Sequence, residues 1–317
     1  MLRLFDLAYT LPPDANRVII SVNPNAGARP VADQTRRLAE GLSKRKLRCE
    51  IINDLKEATE RANQLNEDGR LRSLVGAGGD GTAAELLNLT KPGVPITMLP
   101  AGTENLLSKY LGLTQPVEDL AETIQAGHVV LLDTGKANGR LFLLMIGCGL
   151  DADVVHRLHS QRKGHISHFT WIKPIAQTIF NYQYPKIRIY CGEQNRLGTE
   201  TQNKSTTVRW LLGFNLPCYA GGLEFAPESS GTDGLLDICA FKGRSFFSTL
   251  LYAVGVLLGR HNKMSNCFTT RAKWIRITSK QKVPFQLDGD PGGFLPVEIA
   301  VVPKRLAVLV PPSKINN

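Results

Sequence analysis

The chain has 317 residues, 43% of them hydrophobic, and a formal net charge of +10. The length is generous for one hydrophobic core and sets the expectation of two domains. The apolar fraction argues against a disordered chain, and no apolar run is long enough for a membrane-spanning helix.

Residues 1–15 form a short extension ending at Pro12-Pro13. Its acidic residue and lack of a cleavage site argue against a signal peptide. Residues 17–22 (RVIISV) read as a buried parallel strand, followed by the tight loop Asn23-Pro24-Asn25-Ala26-Gly27. Residues 31–47 read as a basic amphipathic helix, 48–52 as a strand and 56–66 as a helix. Residues 71–76 form the next strand. It runs into Gly78-Gly79-Asp80-Gly81-Thr82 and then a stretch of good helix formers. Glycines there let backbone N–H groups approach an anion closely, and the helix adds the positive end of its dipole. A carboxylate at Asp80 would repel phosphate unless a cation lay between them, which points to magnesium or to proton transfer. Residues 95–99 are a short strand ending in Pro100-Ala101-Gly102-Thr103-Glu104-Asn105, with a helix from Leu106.

Three strand ends thus carry three polar loops. In an open α/β sheet ligands bind outside the carboxyl ends of the strands, so a nucleotide cleft is the economical reading. No lysine sits in the glycine loop, so it is not a Walker-type P-loop, and the GxGxxG spacing is also missing.

The pattern changes near residue 130. Residues 129–133 and 141–146 read as a hairpin around Asn138-Gly139. Residues 169–180 read as a helix. Strand-like runs follow at 186–191, 206–213, 235–241, 273–278, 284–287, 297–302 and 306–310, as expected for an antiparallel sandwich. Residues 246–258 are apolar around most of a helix. Composition alone leaves a core helix and a lipid- or membrane-facing helix both open. His156, His159, His165 and His168 are interleaved with Arg157, Arg162 and Lys163, which disfavours a metal. The six dispersed cysteines read as reduced core residues of an intracellular protein. Asp288-Gly289-Asp290 sets two carboxylates about a glycine at a strand end. It reads either as a hairpin turn or as a carboxylate presented to a cleft.

Taken in order, these segments resemble the diacylglycerol kinase catalytic-domain superfamily, which includes bacterial lipid kinases and sphingosine kinases. Gly78–Thr82 with Glu85 and Asn88 is similar to the GGDGTxxExxN signature, and residues 100–105 to the PxGTxN loop. Gly149-Leu150-Asp151-Ala152, Tyr219-Ala220-Gly221-Gly222, residues 232–237 and Asp288-Gly289-Asp290 follow in the family's order. The resemblance implies an α/β nucleotide-binding domain with an open, mostly parallel sheet over residues 16–132. A C-terminal antiparallel β-sandwich with a few helices would follow over 133–317, its last segment returning to the first domain and the active site lying between the two.

The resemblance further implies that ATP is bound by Asn23, Pro24, Asn25, Ala26, Gly27, Asn53, Gly79, Asp80, Gly81, Thr82, Glu85 and Thr103. Asp80 would help hold magnesium. Asp233 with the Leu235 carbonyl would form a structural magnesium site, and Asp151 would lie near the lipid. Asp290 stands where the family has a glutamate that accepts the proton of the lipid hydroxyl. Aspartate is shorter by one methylene, about 1.5 Å of reach, and a displacement of about 1 Å can cost on the order of 10²-fold in rate.

The expectation is therefore an ATP- and Mg²⁺-dependent kinase acting on a diacylglycerol-like or long-chain-base lipid. An NAD kinase and a catalytically weak nucleotide- or lipid-binding homologue are the alternatives. The positive charge favours an anionic membrane surface as partner. The basic residues are scattered, with no RNA-binding aromatic motif or helix-turn-helix signature, so no nucleic acid is expected. A cytoplasmic protein at the inner membrane face is expected, with a homodimer left open.

Overall fold

Four parallel strands with near-continuous apolar sequence frame the first of two units, Met1–Asp133 with Pro303–Asn317; the second is Thr134–Val302. The computed structural model describes residues 5–6, 8–22, 30–113, 116–160, 177–178, 180–194 and 200–315.

The first unit runs β1 (Tyr9–Thr10), β2 (Arg17–Val22), α1 (Pro30–Lys44), β3 (Arg48–Ile52), α2 (Leu55–Glu67), β4 (Leu71–Gly78), α3 (Asp80–Leu89), β5 (Pro95–Pro100), α4 (Leu106–Leu111), α5 (Val117–Ala126) and β6 (His128–Ala137). The parallel strands lie in the order β5-β4-β2-β3. Ala307 and Val308 pair in parallel with Pro95 and Ile96, so the C-terminal segment belongs to this sheet. All eight residues of β4 are buried, as expected for a strand covered on both faces. α2 shows why helices take up the cover. Asp54 accepts the N–H of Glu57 at 2.8 Å as its N-cap, and Ala58, Ala62 and Leu65 form the buried stripe.

The second unit continues with β7 (Arg140–Phe142), β8 (Met145–Cys148), α6 (Leu150–Ser160), β9 (Ile187–Gln194), β10 (Glu200–Val208), β11 (Trp210–Phe214), β12 (Leu236–Phe241), β13 (Cys267–Ala272), β14 (Trp274–Ser279), β15 (Pro284–Leu287), β16 (Asp290–Phe294) and β17 (Val297–Leu309). Its strands make one antiparallel ladder β10-β9-β14-β17 and another β13-β12-β11-β8-β15-β16. Alternate residues point into a shared core: Ile187, Ile189, Ile275 and Ile277 from one, Ile146, Leu211, Ile238 and Phe285 from the other.

The structure corrects the sequence reading in three places. The hairpin's return leg does not continue through residue 146; it ends at Phe142 and restarts at Met145 in a different ladder. The N–H groups of Leu143, Leu144 and Met145 are instead taken by the Asp288 carboxylate, at 2.6, 2.7 and 3.0 Å. Residues 206–213 divide into β10 and β11 at the buried Arg209, whose guanidinium donates to the Tyr184 carbonyl at 2.7 Å. The two strands expected at 297–310 are one, β17. It stays continuous across Pro303 because its ladder partners lie on either side, and Lys304 takes a φ of 52° there. Of the helix expected at 169–180, most lies outside the described residues, as do His165 and His168. His156 sits at 3.2 Å from the Phe285 carbonyl, and among the described residues no cluster of His, Cys, Asp and Glu is placed to hold a metal ion. Among the described residues, no helix is long and apolar enough to cross a membrane.

Candidate functional site

The register of the first unit brings the polar loops level. Ile52 pairs with Ser21, Val22 with Ala77, and Gly78 with Pro100, so β2, β3, β4 and β5 end together along one edge. Asn53 follows β3 there and is exposed. The loop after β2, Asn23–Gly27, lies outside the described residues.

GGDGT and PAGTEN meet directly. The Ala101 N–H donates to the Gly78 carbonyl at 3.0 Å. A Cβ on Gly102 would stand 2.7 Å from the Cα of Gly79, so only glycine permits the approach. Gly81, Glu85 and Thr103 are exposed at this edge. Thr82 is buried instead, its side chain filling the space where Gly78 lacks a Cβ.

Asp80 has a job that its position in the motif does not announce. Its two carboxylate oxygens accept the N–H groups of Leu106 and Leu107, each at 3.0 Å. These are the first two N–H groups of α4. The local N-cap, Asn105, cannot take them. It is left-handed (φ 50°, ψ 48°), and its amide is paired with the Gly102 backbone through two 2.8 Å bonds. Asp80 therefore caps a helix 26 residues away and pins the two loops together. Each oxygen retains a second lone pair, so the carboxylate still fits a hydrated cation.

In the second unit the two aspartates of the β15–β16 turn have different duties. Asp288 points back to residues 143–145, as described above. Asp290 is partly exposed, and its Oδ2 lies 3.4 Å from the Arg140 guanidinium, which also donates to the Pro291 carbonyl at 3.4 Å. Between them, the Gly289 N–H donates to Gln286 Oε1 at 2.8 Å, and Gln286 Nε2 donates to Asp151 Oδ2 at 2.8 Å. The Tyr219 hydroxyl donates to the other Asp151 oxygen at 2.5 Å. Asp151 is thus tied to the turn that carries Asp290, and it lies over the bare Gly147, where any side chain would collide with it. Burial pushes the Asp151 carboxyl up, against the opposing pull of the hydrogen bonds from Tyr219 and Gln286. Burial and the neighbouring Asp151 push the Tyr219 phenol well up, so it stays a donor. Arg140 and Gln286 escaped the sequence reading as site residues; Asp288 was flagged only as one of the two carboxylates about Gly289, and its partners at residues 143–145 left no local signal.

The structural magnesium site implied for Asp233 and the Leu235 carbonyl does not fit this chain. Asp233 Oδ1 accepts the Leu235 N–H at 3.0 Å, and Oδ2 is in contact with the Arg271 guanidinium. Arg271 also reaches Asp237, Nε to Oδ1 at 3.3 Å. A guanidinium between two carboxylates supplies the charge a metal would bring, and a second cation in that space would be repelled. Wild-type thermal stability should therefore be indifferent to chelator and to added magnesium. Arg271→Ala should lose stability and recover part of it in millimolar magnesium by ligand linkage. A chelator-sensitive melting temperature in the wild type would contradict this.

The class that the fold and the loops define is a two-unit protein: a parallel α/β unit whose GGDGT and PAGTEN loops meet at the carboxyl edge of its sheet, followed by an antiparallel unit. Residues 17–137 match the diacylglycerol kinase catalytic domain. Residues 145–310, more than half of the chain, match the YegS C-terminal NAD kinase beta sandwich-like domain. The chain belongs to the diacylglycerol kinase catalytic-domain superfamily. It is 27% identical over 248 residues to a diacylglycerol kinase of Bacillus subtilis, covering 76% of this chain and 78% of that protein. It is 26% identical over 274 residues to an uncharacterized Synechocystis protein; that match takes in 82% of this chain and 60% of the relative, less than two thirds of its length. A solved structure of a diacylglycerol kinase from Bacillus anthracis has the same fold, with a TM-score of 0.66 at 20% identity over 95% of this chain and 98% of that one.

Proposed function

We propose that the protein transfers the γ-phosphoryl group of ATP to the hydroxyl of a diacylglycerol-like or long-chain-base lipid. The observation that carries this is the contact of the GGDGT and PAGTEN loops, held by Asp80, at the carboxyl edge of a parallel sheet in a chain of this family. Backbone N–H groups of Gly79, Gly81 and neighbouring loop residues would bind phosphate oxygens, with Thr103, Glu85 and Asn53 at the same edge. The loop Asn23–Gly27 would complete the grip. Magnesium held near Asp80 would neutralise charge on the phosphates when bound.

In the transfer, the lipid hydroxyl oxygen forms a bond to the γ-phosphorus as the bond from that phosphorus to the β,γ-bridging oxygen breaks. ADP leaves with the electron pair. Asp290 accepts the hydroxyl proton, and Arg140 orients its shortened carboxylate. Asp151, with Tyr219 and Gln286, positions the turn that carries Asp290. The lipid at a membrane surface is the proposed setting; a homodimer is neither required nor used.

The test is incubation of purified protein with labelled ATP and a mixed lipid extract, and in parallel with NAD, read by mass spectrometry. A magnesium-dependent lipid phosphate is the expected product. Asp290→Asn should lower kcat by at least about 10²-fold, while Asp290→Glu should keep or raise it. Phosphorylated NAD without lipid product would move the chain to the NAD kinase reading. An ATP-induced rise in melting temperature without turnover would leave a binding homologue.

A further inference from the structure

The helix Phe246–Leu257 has its polarity reversed. Its buried positions are Thr249, Tyr252 and Val256, whereas Phe247, Leu250, Leu251, Val254, Leu257 and the following Leu258 face outward. The outward residues recur at helical spacing, so they make one continuous apolar face. Phe247 is 78% exposed, Leu257 71% and Leu258 65%.

The orientation is fixed by polar bonds on the inner face. The Tyr252 hydroxyl accepts the Gly243 N–H at 3.0 Å and donates to the Asn266 carbonyl at 3.3 Å. Thr249 Oγ1 and the Tyr184 hydroxyl are 2.8 Å apart. Ser245 and Ser248 form a capping box at the start. Rolling the apolar face inward would break these bonds and strand the Tyr252 ring, which packs 4.8 Å from Phe241.

The charge flanking the helix in sequence is one-sided, with no aspartate or glutamate between Lys242 and Leu287. Lys242 and Arg244 precede the helix, Arg260 and Lys263 follow it, and all four are exposed.

We infer that this face docks the protein onto an anionic phospholipid bilayer, with the helix lying in the interfacial plane. Twelve residues make a rod of about 18 Å, too short to cross a hydrocarbon core of about 30 Å. Six aliphatic or aromatic side chains with no donor or acceptor suit acyl chains, and the flanking bases suit anionic headgroups. The inference rests on the lipid-kinase reading for its purpose, since the lipid substrate would lie in that bilayer, but docking is measured without ATP or acceptor.

The experiment is flotation of the full chain with vesicles of equal parts phosphatidylglycerol and phosphatidylcholine, and with phosphatidylcholine alone. The wild type should float with the anionic vesicles and much less with the neutral ones. Phe247→Ser combined with Leu251→Ser should reduce partitioning by about tenfold or more while leaving the melting temperature unchanged, because both side chains are exposed. Leu257→Ser with Leu258→Ser should give the same loss from the other end of the helix. Arg244→Gln with Arg260→Gln should abolish the preference for anionic vesicles.

The inference is overturned if the wild type stays in solution, or if both serine pairs float like the wild type. It is also overturned if the face proves to join two copies, seen as a dimer that the serine pairs dissociate. Turnover of lipid in detergent micelles keeps the two readings apart. The serine pairs should turn over micellar lipid like the wild type. A wild type that floats but phosphorylates no micellar lipid would remove the kinase reading and leave docking standing.

Discussion

Asp80→Asn should lower kcat/KM for phosphoryl transfer by on the order of 10²- to 10³-fold. Asparagine keeps one acceptor oxygen, so one of the Leu106 and Leu107 N–H groups would face an NH₂ in place of a carboxylate oxygen. Losing a charge-assisted bond and leaving a donor unpaired costs about 2–3 kcal/mol. If that cost falls on the placement of the phosphate loops, it amounts to about 10²-fold in rate. Removing the charge that would hold magnesium takes the rest. Asp80→Ala should do at least as much and also lower the melting temperature by a few degrees, since α4 then has no cap. A magnesium titration separates the two contributions: a pure pinning role leaves the apparent magnesium affinity of the nucleotide complex unchanged. Activity of Asp80→Asn within about threefold of the wild type would falsify both.

Asp288→Ala should destabilise the second unit by about 3–5 kcal/mol, a large share of a typical domain stability. The carboxylate is the acceptor for three consecutive N–H groups, those of Leu143, Leu144 and Met145, and all three residues are buried. These bonds replace the strand pairing that β7 gives up at Phe142, so nothing else in the ladder takes them over. Backbone conformation adds to the loss, because Asp288 has a φ of 52° and alanine pays about 1–2 kcal/mol there. Asp288→Gly relieves that strain but not the missing acceptor, and the difference between the two variants in urea denaturation measures the conformational part. Asp288→Asn should be the mildest of the three. Its single oxygen can serve two of the N–H groups, leaving one unpaired. An alanine variant within about 0.5 kcal/mol of the wild type would show that water or a backbone shift satisfies residues 143–145.

The two aspartates show where reading a sequence stops. In the string Asp288-Gly289-Asp290 the family resemblance singles out Asp290 but says nothing of what either carboxylate meets. Only the fold supplies those partners, because the N–H groups that claim Asp288 lie more than 140 residues earlier and Arg140, which claims Asp290, lies 150 residues earlier. Asp80 is the same case on a shorter span. Its place in a phosphate-type loop was legible, but its partners on α4 were not, since capping from a distance leaves no local pattern. Arg271 gave no signal either. Whether Asp233 meets a metal or a guanidinium depends on the pairing of β12 and β13, which sets Arg271 opposite Asp237.

What the chain's own order of residues decided was the sheet and its loops. The apolar run of β4, the glycines after it and the alternation along β9 and β14 each act through a few neighbouring residues, and local sterics and burial suffice to read them. Tertiary structure alone decided which carboxylate meets which partner, and which side of the helix Phe246–Leu257 faces outward. Those outcomes depend on side chains distant in sequence competing for the same buried donors and the same packing space. In that competition Thr249 and Tyr252 took the inside and left the leucines outside.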